Sequence, residues 1–157
     1  AANRPDGNLV KLLTQNTYDL RVQKYLEEIH QGLSADFACI SSLKPETADR
    51  ALAYLLELSC QAQNVRNIIL GREFLLEADR AWLVSRIEAI ALATLNLDDE
   101  WEYRRLLELY TLLDDSLAVR LVALGQTSSN VEIVEVAGEF AALAKVLHNQ
   151  HLSACKR

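Results

Sequence analysis

Proline and glycine are scarce in this sequence, with two prolines and five glycines among 157 residues. A β-sandwich or a β-barrel needs many turns, and turns depend on these two residue types, so their scarcity argues against both folds. Leucine, alanine, glutamate and arginine are abundant instead, and these residues lose little rotamer freedom in a helix. The composition therefore predicts an all-α protein.

Basic residues and long apolar runs are also limited. The chain has 16 Lys and Arg against 22 Asp and Glu, a net charge of −6. Nucleic acids and anionic lipids are bound by Lys and Arg that replace counterions, so neither is expected as a partner. No apolar run approaches the roughly 20 residues that span a bilayer, and we expect no membrane association.

The cysteines are few and odd in number: Cys39, Cys60 and Cys155. Three widely spaced cysteines cannot all pair within one chain, which is typical of free thiols in a reducing compartment. The N-terminal residues are polar and lack the apolar core of a signal peptide. Together these features predict a cytoplasmic protein.

The length is that of one ordinary domain, which can bury a core without metals or disulfides. We divide the single helical domain 1–157 into a frayed tail (1–8), N-terminal helices (9–63), a repeat-like part (64–147) and a second frayed tail (149–157). Helical spacing of apolar residues predicts helices over 17–31, 34–43, 65–76, 80–95 and 116–124, with further helices from Pro45, from Asp98 or Asp99, and from Ser129 or Asn130.

Two of these segments carry specific expectations. The segment 80–95 is apolar on almost every side, which predicts a position between other helices. Gly125 follows the segment 116–124 and is expected to end that helix.

Helix-capping residues recur at regular intervals. Asn64, Asp98 and Asn130 are 34 and 32 residues apart, and Asp79 and Asp115 are 36 apart. The segments LLEADRAWLVSRI (75–87) and LLDDSLAVRLVAL (112–124) are similar to one another. A period of this size, with one helix pair per unit, predicts stacked antiparallel helical hairpins in an α-solenoid-like fold.

The segment SSNVEIVEVAGEF (128–140) resembles the start of a HEAT-type repeat, in which a capped turn leads into a helix with Val, Val and Ala facing inward. The proline common in that turn is absent. The resemblance to HEAT/armadillo-like α-helical repeats covers residues 64–147 and implies a scaffold or partner-binding role. The alternative fold is an irregular helical bundle, since amphipathic hairpins resemble one another in any helical protein.

Two groups of residues could hold a metal ion. His148, His151 and Cys155 are spaced so that a helical end could gather them, but a zinc site needs a further ligand pair that the sequence lacks, and an exposed tail is favoured. The acidic run 98–102 has neither the alternating ligands nor the glycine of a calcium loop. Helix capping explains it better, so we expect no metal site.

A nucleophilic centre is not indicated either. Cys39 and Cys60 have apolar neighbours, and His30 alone does not make a thiolate pair with Cys39. Serine-hydrolase, phosphate-loop, dinucleotide and zinc-protease motifs are absent from the sequence. We therefore predict no catalytic residue and no cofactor.

Three residues are candidates for binding. Arg86 and Arg120 occupy similar places in the two related segments, on nearly apolar faces where they could bind an acidic partner or a phosphate. The alternative is that their stems pack on the core while their head groups stay in water or pair with Glu88 or Glu108. Trp101 lies off the apolar stripe of its helix and is either a half-exposed anchor for a partner or a staple at the helix start.

The sequence thus favours a non-catalytic protein-binding, scaffold or regulatory module built of helical hairpins, whose partner is another protein with an acidic surface. An accessory subunit of an enzyme complex is the alternative, and a stand-alone enzyme ranks third because no reactive group of residues is found. The oligomeric state is left open.

Overall fold

The structure is a computed structural model that describes the backbone of residues 7–154 and the side chains of residues 17–145. These residues form helices and no strand, so the predicted all-α class is confirmed. In chain order the elements are α1 (Gly7–Ile29), the 3₁₀ helix Phe37–Ser42, α2 (Pro45–Ser59), α3 (Val65–Glu77), α4 (Arg80–Thr94), α5 (Glu100–Leu113), α6 (Asp115–Gln126) and α7 (Val131–Ala154).

The two predicted tails need correction. Gly7 and Asn8 already belong to α1, and the rest of the tail predicted for 1–8 lies outside the described residues. The tail predicted for 149–157 is wrong for residues 149–154, because α7 continues to Ala154. No glycine or proline interrupts that stretch, so nothing in it stops the helix. Residues 155–157 lie outside the described part.

Polar side chains cap five of the helices. Their oxygens accept main-chain N–H groups as follows: Asn64 from Asn67, Asp79 from Trp82, Asp99 from Trp101 and Glu102, Asp114 from Ser116, and Asn130 from Glu132. The sequence predicts Asp98 or Asp99 as the cap of α5 and Asp114 or Asp115 as the cap of α6, and the caps are Asp99 and Asp114. The regular series that used Asp98 and Asp115 is therefore shifted by one residue at both. The capping explanation of the acidic run is confirmed for Asp99.

The helices pack on near neighbours along the chain. α2 contacts α1, α3, α4 and α5, and α7 contacts α5 and α6, which also contact each other. Short connections join most consecutive helices, as expected for neighbours that pack together. This arrangement fits both a stack of hairpins and a helical bundle, and the HEAT-like resemblance stays a prediction.

Each of the helices α1 to α5 forms an arginine–carboxylate pair with the second α-helix after it. The five pairs, from α1–α3 to α5–α7, are Asp19–Arg66, Asp49–Arg86, Arg72–Glu108, Glu88–Arg120 and Arg104–Glu139. Apart from the first pair, which is 47 residues apart, the partners are separated by 32 to 37 residues. We call this set the i,i+2 ion-pair series. It fixes each helix relative to a non-adjacent one.

One contiguous apolar core runs from Val22 in α1 to Ala137 in α7. On α5, helical spacing predicts a buried stripe of Tyr103, Leu106, Leu107, Tyr110 and Leu113, and all five are buried. Leu109, which lies outside that stripe, is buried as well. The prediction that α4 is enclosed on all sides is wrong, because Leu92 on this helix is 58% exposed. α4 packs mainly on α2. An apolar composition records how hydrophobic a helix is, but not how many neighbours it has.

The prediction that Gly125 ends α6 is wrong, because the helix continues to Gln126. A Cβ atom at this position would lie 2.5 Å from Cζ of Tyr103 on α5. The Tyr103 ring is buried, which raises its pKa to about 12. Glycine is therefore needed here for close approach of two helices and not for a turn.

Candidate protein-binding surface

Arg86 lies at the seam between α2 and α4. Its Nε donates to Oδ1 of Asp49 at 3.2 Å, and its guanidinium carbon lies 5.5 Å from the centre of the Trp82 ring. The alternative from the sequence is that this head group pairs with Glu88 or Glu108. Arg86 does pair with a carboxylate, but its partner is Asp49. Much of the charge of Arg86 is already neutralised within the fold.

Arg120 belongs to α6 and pairs with the opposite side of α4. Its Nε and Nη2 donate to the two carboxylate oxygens of Glu88 at 3.1 and 3.2 Å. This is the pairing with Glu88 that the sequence offered as an alternative. Because Arg86 faces α2 whereas Glu88 faces α6, the two arginines do not converge on one site. Their predicted binding roles stay predictions.

A small groove lies beside the Glu88–Arg120 pair. It has a volume of about 60 Å³ and is lined by α4, α5, α6 and Leu97 of the α4–α5 connection, with Leu92 and Leu124 at its apolar walls. Pockets for drug-sized ligands measure roughly 300–1,000 Å³. The groove is therefore far smaller than a pocket of that kind.

Trp101 is 45% exposed, as one of its two predicted roles requires. It opens a stripe along α5 that continues through Arg105, Glu108 and Leu112, at the i, i+4, i+7 and i+11 spacing of one helix face. The Arg105 guanidinium carbon lies 5.9 Å from the centre of the Trp101 indole. Leu112, at the other end of the stripe, is 52% exposed.

A matching stripe lies on α3. It consists of Val65, Ile69, Arg72 and Leu76, and adding 36 to each number gives the stripe on α5. Val65, Ile69 and Leu76 are all exposed, with Val65 at 61%. Arg72 joins the two stripes through Glu108. We call these eight residues of α3 and α5 the α3–α5 face.

Arginines share a single carboxylate at the centre of this face. Arg72 Nη2 donates to Glu108 Oε2 at 2.7 Å and to the main-chain oxygen of Arg105 at 3.2 Å. Arg105 Nη1 donates to both oxygens of Glu108 at 3.1 and 3.0 Å. The cluster thus has two positive charges against one negative charge.

The protonation state of this cluster follows from its contacts. Burial alone would raise the pKa of Glu108, but hydrogen bonds from the two guanidiniums outweigh it and hold the pKa below its usual value. Glu108 is therefore ionised at neutral pH. The Nε atoms of Arg72 and Arg105 are buried and form no hydrogen bond with the described residues. Each guanidinium therefore has one buried donor that these residues do not satisfy.

Sequence reasoning did not single out Arg72 and Arg105, because it weighed arginines on apolar helices only. A usable signal was present. The 36-residue offset that relates Asp79 to Asp115 also relates Val65 to Trp101 and Arg72 to Glu108. Applying that offset to every exposed position would have aligned the two stripes.

Metal sites, reactive thiols and membrane-spanning helices are the other candidate features. No group of three or more His, Cys, Asp or Glu side chains there could hold a metal ion, and His148, His151 and Cys155 have side chains outside it. Burial raises the pKa of the Cys60 thiol to about 12, so Cys60 is not a thiolate nucleophile. Within residues 7–154, no helix has both the length and the apolarity to cross a bilayer.

Comparison of the chain with protein-family models, with curated protein sequences and with solved structures gives no match. The function must therefore be argued from the surface itself.

Proposed function

We propose that this chain is a non-catalytic protein-binding module and that the α3–α5 face is its docking surface. One observation supports this most strongly: five large apolar side chains are exposed on α3 and α5, the two helices that a partly buried Arg–Glu–Arg cluster joins. Grouped exposed apolar residues mark interaction sites more often than residues scattered singly, and here they lie on either side of the charged residues in each stripe.

The composition of the face suits an interface. Trp and Arg are the residues most enriched among interface hot spots, and Trp101, Arg72 and Arg105 lie on this face. Lysine, which interfaces tend to exclude, is absent from its eight residues. The face therefore combines apolar contact area with a central polar group that can orient a partner.

Both helices of the face are also paired with a further helix. Arg66 of α3 binds Asp19 of α1, and Arg104 of α5 binds Glu139 of α7. A preorganised surface loses less conformational entropy when a partner binds. Rigid helices with exposed side chains are thus a suitable platform for docking.

The functional groups of the face favour recognition over chemistry. Arginine stays protonated at all physiological pH values, and Glu108 is held ionised by its two partners. General acid–base catalysis needs a group that exchanges its proton near neutral pH. Neither residue type on this face meets that condition, and this is why we propose binding.

The experiment uses two matched variants in a pull-down from native extract with mass spectrometry. Ile69→Ser combined with Trp101→Ser disrupts the α3–α5 face, whereas Leu92→Ser combined with Leu124→Ser disrupts exposed leucines beside the α4–α6 groove. All four residues are between 43% and 58% exposed, so both variants should fold. We expect a specific partner to be retained by the wild type and by the groove variant, and lost by the face variant.

The opposite result is equally informative. Loss of the partner from the groove variant alone would move the docking surface to α4 and α6. Retention of the same proteins by all three chains would show that neither surface binds them. Thermal unfolding followed by circular dichroism confirms that each variant is folded before its binding is compared.

A further inference from the structure

The shape of the α3–α5 face restricts what can dock there. Each stripe covers 12 residues, from Val65 to Leu76 and from Trp101 to Leu112, which corresponds to a length of roughly 17 Å at 1.5 Å per residue. Strand addition requires an open sheet edge, and residues 7–154 contain no strand. An amphipathic helix laid along the two stripes can instead place apolar anchors at helical spacing against them.

The charge of the face restricts the partner further. At its centre, two guanidiniums share one carboxylate, which leaves a surplus positive charge between exposed apolar residues. Two further carboxylates lie near this cluster, Glu73 beside Arg72 in the chain and Glu102 three residues before Arg105. Glu73 acts on Arg66, and Glu102 accepts from the main-chain N–H of Asn96; among the described residues neither forms an ion pair with Arg72 or Arg105. An acidic side chain arriving at the centre would therefore meet a net positive charge.

We infer that the partner segment is an amphipathic helix of about three turns with an Asp or Glu near its middle, whose carboxylate binds at Arg72 and Arg105. This inference rests on the proposed function, since it specifies the occupant of the same face. Its apolar residues cover Ile69, Leu76, Trp101 and Leu112. Its carboxylate supplies the second negative charge that the cluster lacks within the chain.

Two substitutions change the surplus charge in opposite directions. Arg105→Gln leaves Arg72 paired with Glu108, so the cluster becomes neutral. Glu108→Gln leaves both arginines without a carboxylate and increases the surplus. At a purely apolar docking site, both substitutions would change the affinity for the peptide only slightly and not in opposite directions.

The test uses a phage-displayed library of random 16-residue peptides, selected on the wild-type chain. Counter-selection on the Ile69→Ser, Trp101→Ser variant removes peptides that bind elsewhere. Affinities of the enriched peptides are then measured by fluorescence anisotropy. Each peptide is also made with its central acidic residue replaced by Gln or Asn, which needs no change in the protein and remains informative even where a protein variant folds poorly.

We expect enriched peptides with helical apolar spacing and a central Asp or Glu. The neutral peptide should bind the wild type about tenfold more weakly, as should the acidic peptide on Arg105→Gln. Affinity of the acidic peptide should increase on Glu108→Gln. The neutral peptide should not distinguish Arg105→Gln from the wild type.

Two other results separate this inference from the proposed function. Peptides that need the face but lack an acidic residue, and that bind Arg105→Gln as tightly as the wild type, would overturn the carboxylate inference and leave the docking surface intact. If no peptide distinguishes the wild type from the Ile69→Ser, Trp101→Ser variant, the docking surface itself is wrong.

Discussion

The Tyr103 hydroxyl of α5 donates a 2.8 Å hydrogen bond to the main-chain oxygen of Leu121 in α6, one helical turn before Gly125. This bond places the tyrosine ring against the main chain of α6, where only a glycine leaves room for it. The contact between α5 and α6 therefore depends on a missing side chain as much as on the residues present.

We predict that Gly125→Ala destabilises the protein by about 1–3 kcal/mol, because the new methyl group overlaps the Tyr103 ring. The matched control is Gly138→Ala in α7, where no atom lies within 4 Å of the added Cβ. That substitution should stabilise the protein by about 0.5–1 kcal/mol through its helix propensity. Urea denaturation measures both. Equal effects of the two substitutions would contradict the close approach.

Leu107→Asp is expected to unfold the protein, because the Leu107 side chain is fully buried in the core and a charged group there would be unpaired. Leu109→Asp should be as damaging, since Leu109 is buried too. Leu112→Asp, one turn beyond Leu109 and 52% exposed, should leave the fold intact. Circular dichroism melts distinguish the three. A cooperative melt of Leu107→Asp near the wild-type temperature would show that the assignment of buried positions in α5 is wrong.

The stabilisation that Glu108 provides should depend on pH. Its pKa in the folded protein lies below the ordinary value of 4.5, so its contribution is fully present above about pH 4.5 and is lost as the pH falls through the folded pKa. We therefore predict that the wild type is more stable than Glu108→Gln at pH 7. The difference should shrink on acidification below about pH 4.5. Urea melts across that range measure it, and a constant difference would disprove the ionic role.

Members of the i,i+2 ion-pair series should differ in strength. Arg72 and Glu108 are partly buried, so a double-mutant cycle should give a coupling free energy of about 1–2 kcal/mol. Arg120 and Glu88 are more exposed, and screening by water should leave their coupling near zero. Raising the salt concentration should not reverse this ranking of the two coupling free energies. A stronger coupling at Arg120–Glu88 than at Arg72–Glu108 would contradict this ranking.

Local features of this fold could be predicted from sequence because they depend on neighbouring residues. The caps at Asn64, Asp79 and Asn130 and the buried stripe of α5 follow from hydrogen-bond chemistry and helical spacing. The interior position of Gly125 could not be predicted, since it depends on Tyr103, which is distant in sequence.

The candidate site illustrates the same limit. The sequence left two alternatives open for Trp101 and two for Arg120. The exposure of Trp101 was one of the first two, and the pairing of Arg120 with Glu88 was one of the second two. The pairing of Arg86 with Asp49 was not foreseen, because it requires knowing that α2 lies beside α4. The cluster of Arg72, Arg105 and Glu108 likewise exists only once the Arg72 side chain of α3 reaches α5.

The i,i+2 ion-pair series has a consequence for how the chain reaches its fold. No pair joins residues more than 47 positions apart, so each helix meets its partner soon after it is made. Such short-range contacts favour rapid folding. Two of the pairs, Asp19–Arg66 and Asp49–Arg86, are complete within α1 to α4, so this part of the chain can begin to pack before α7 has been synthesised.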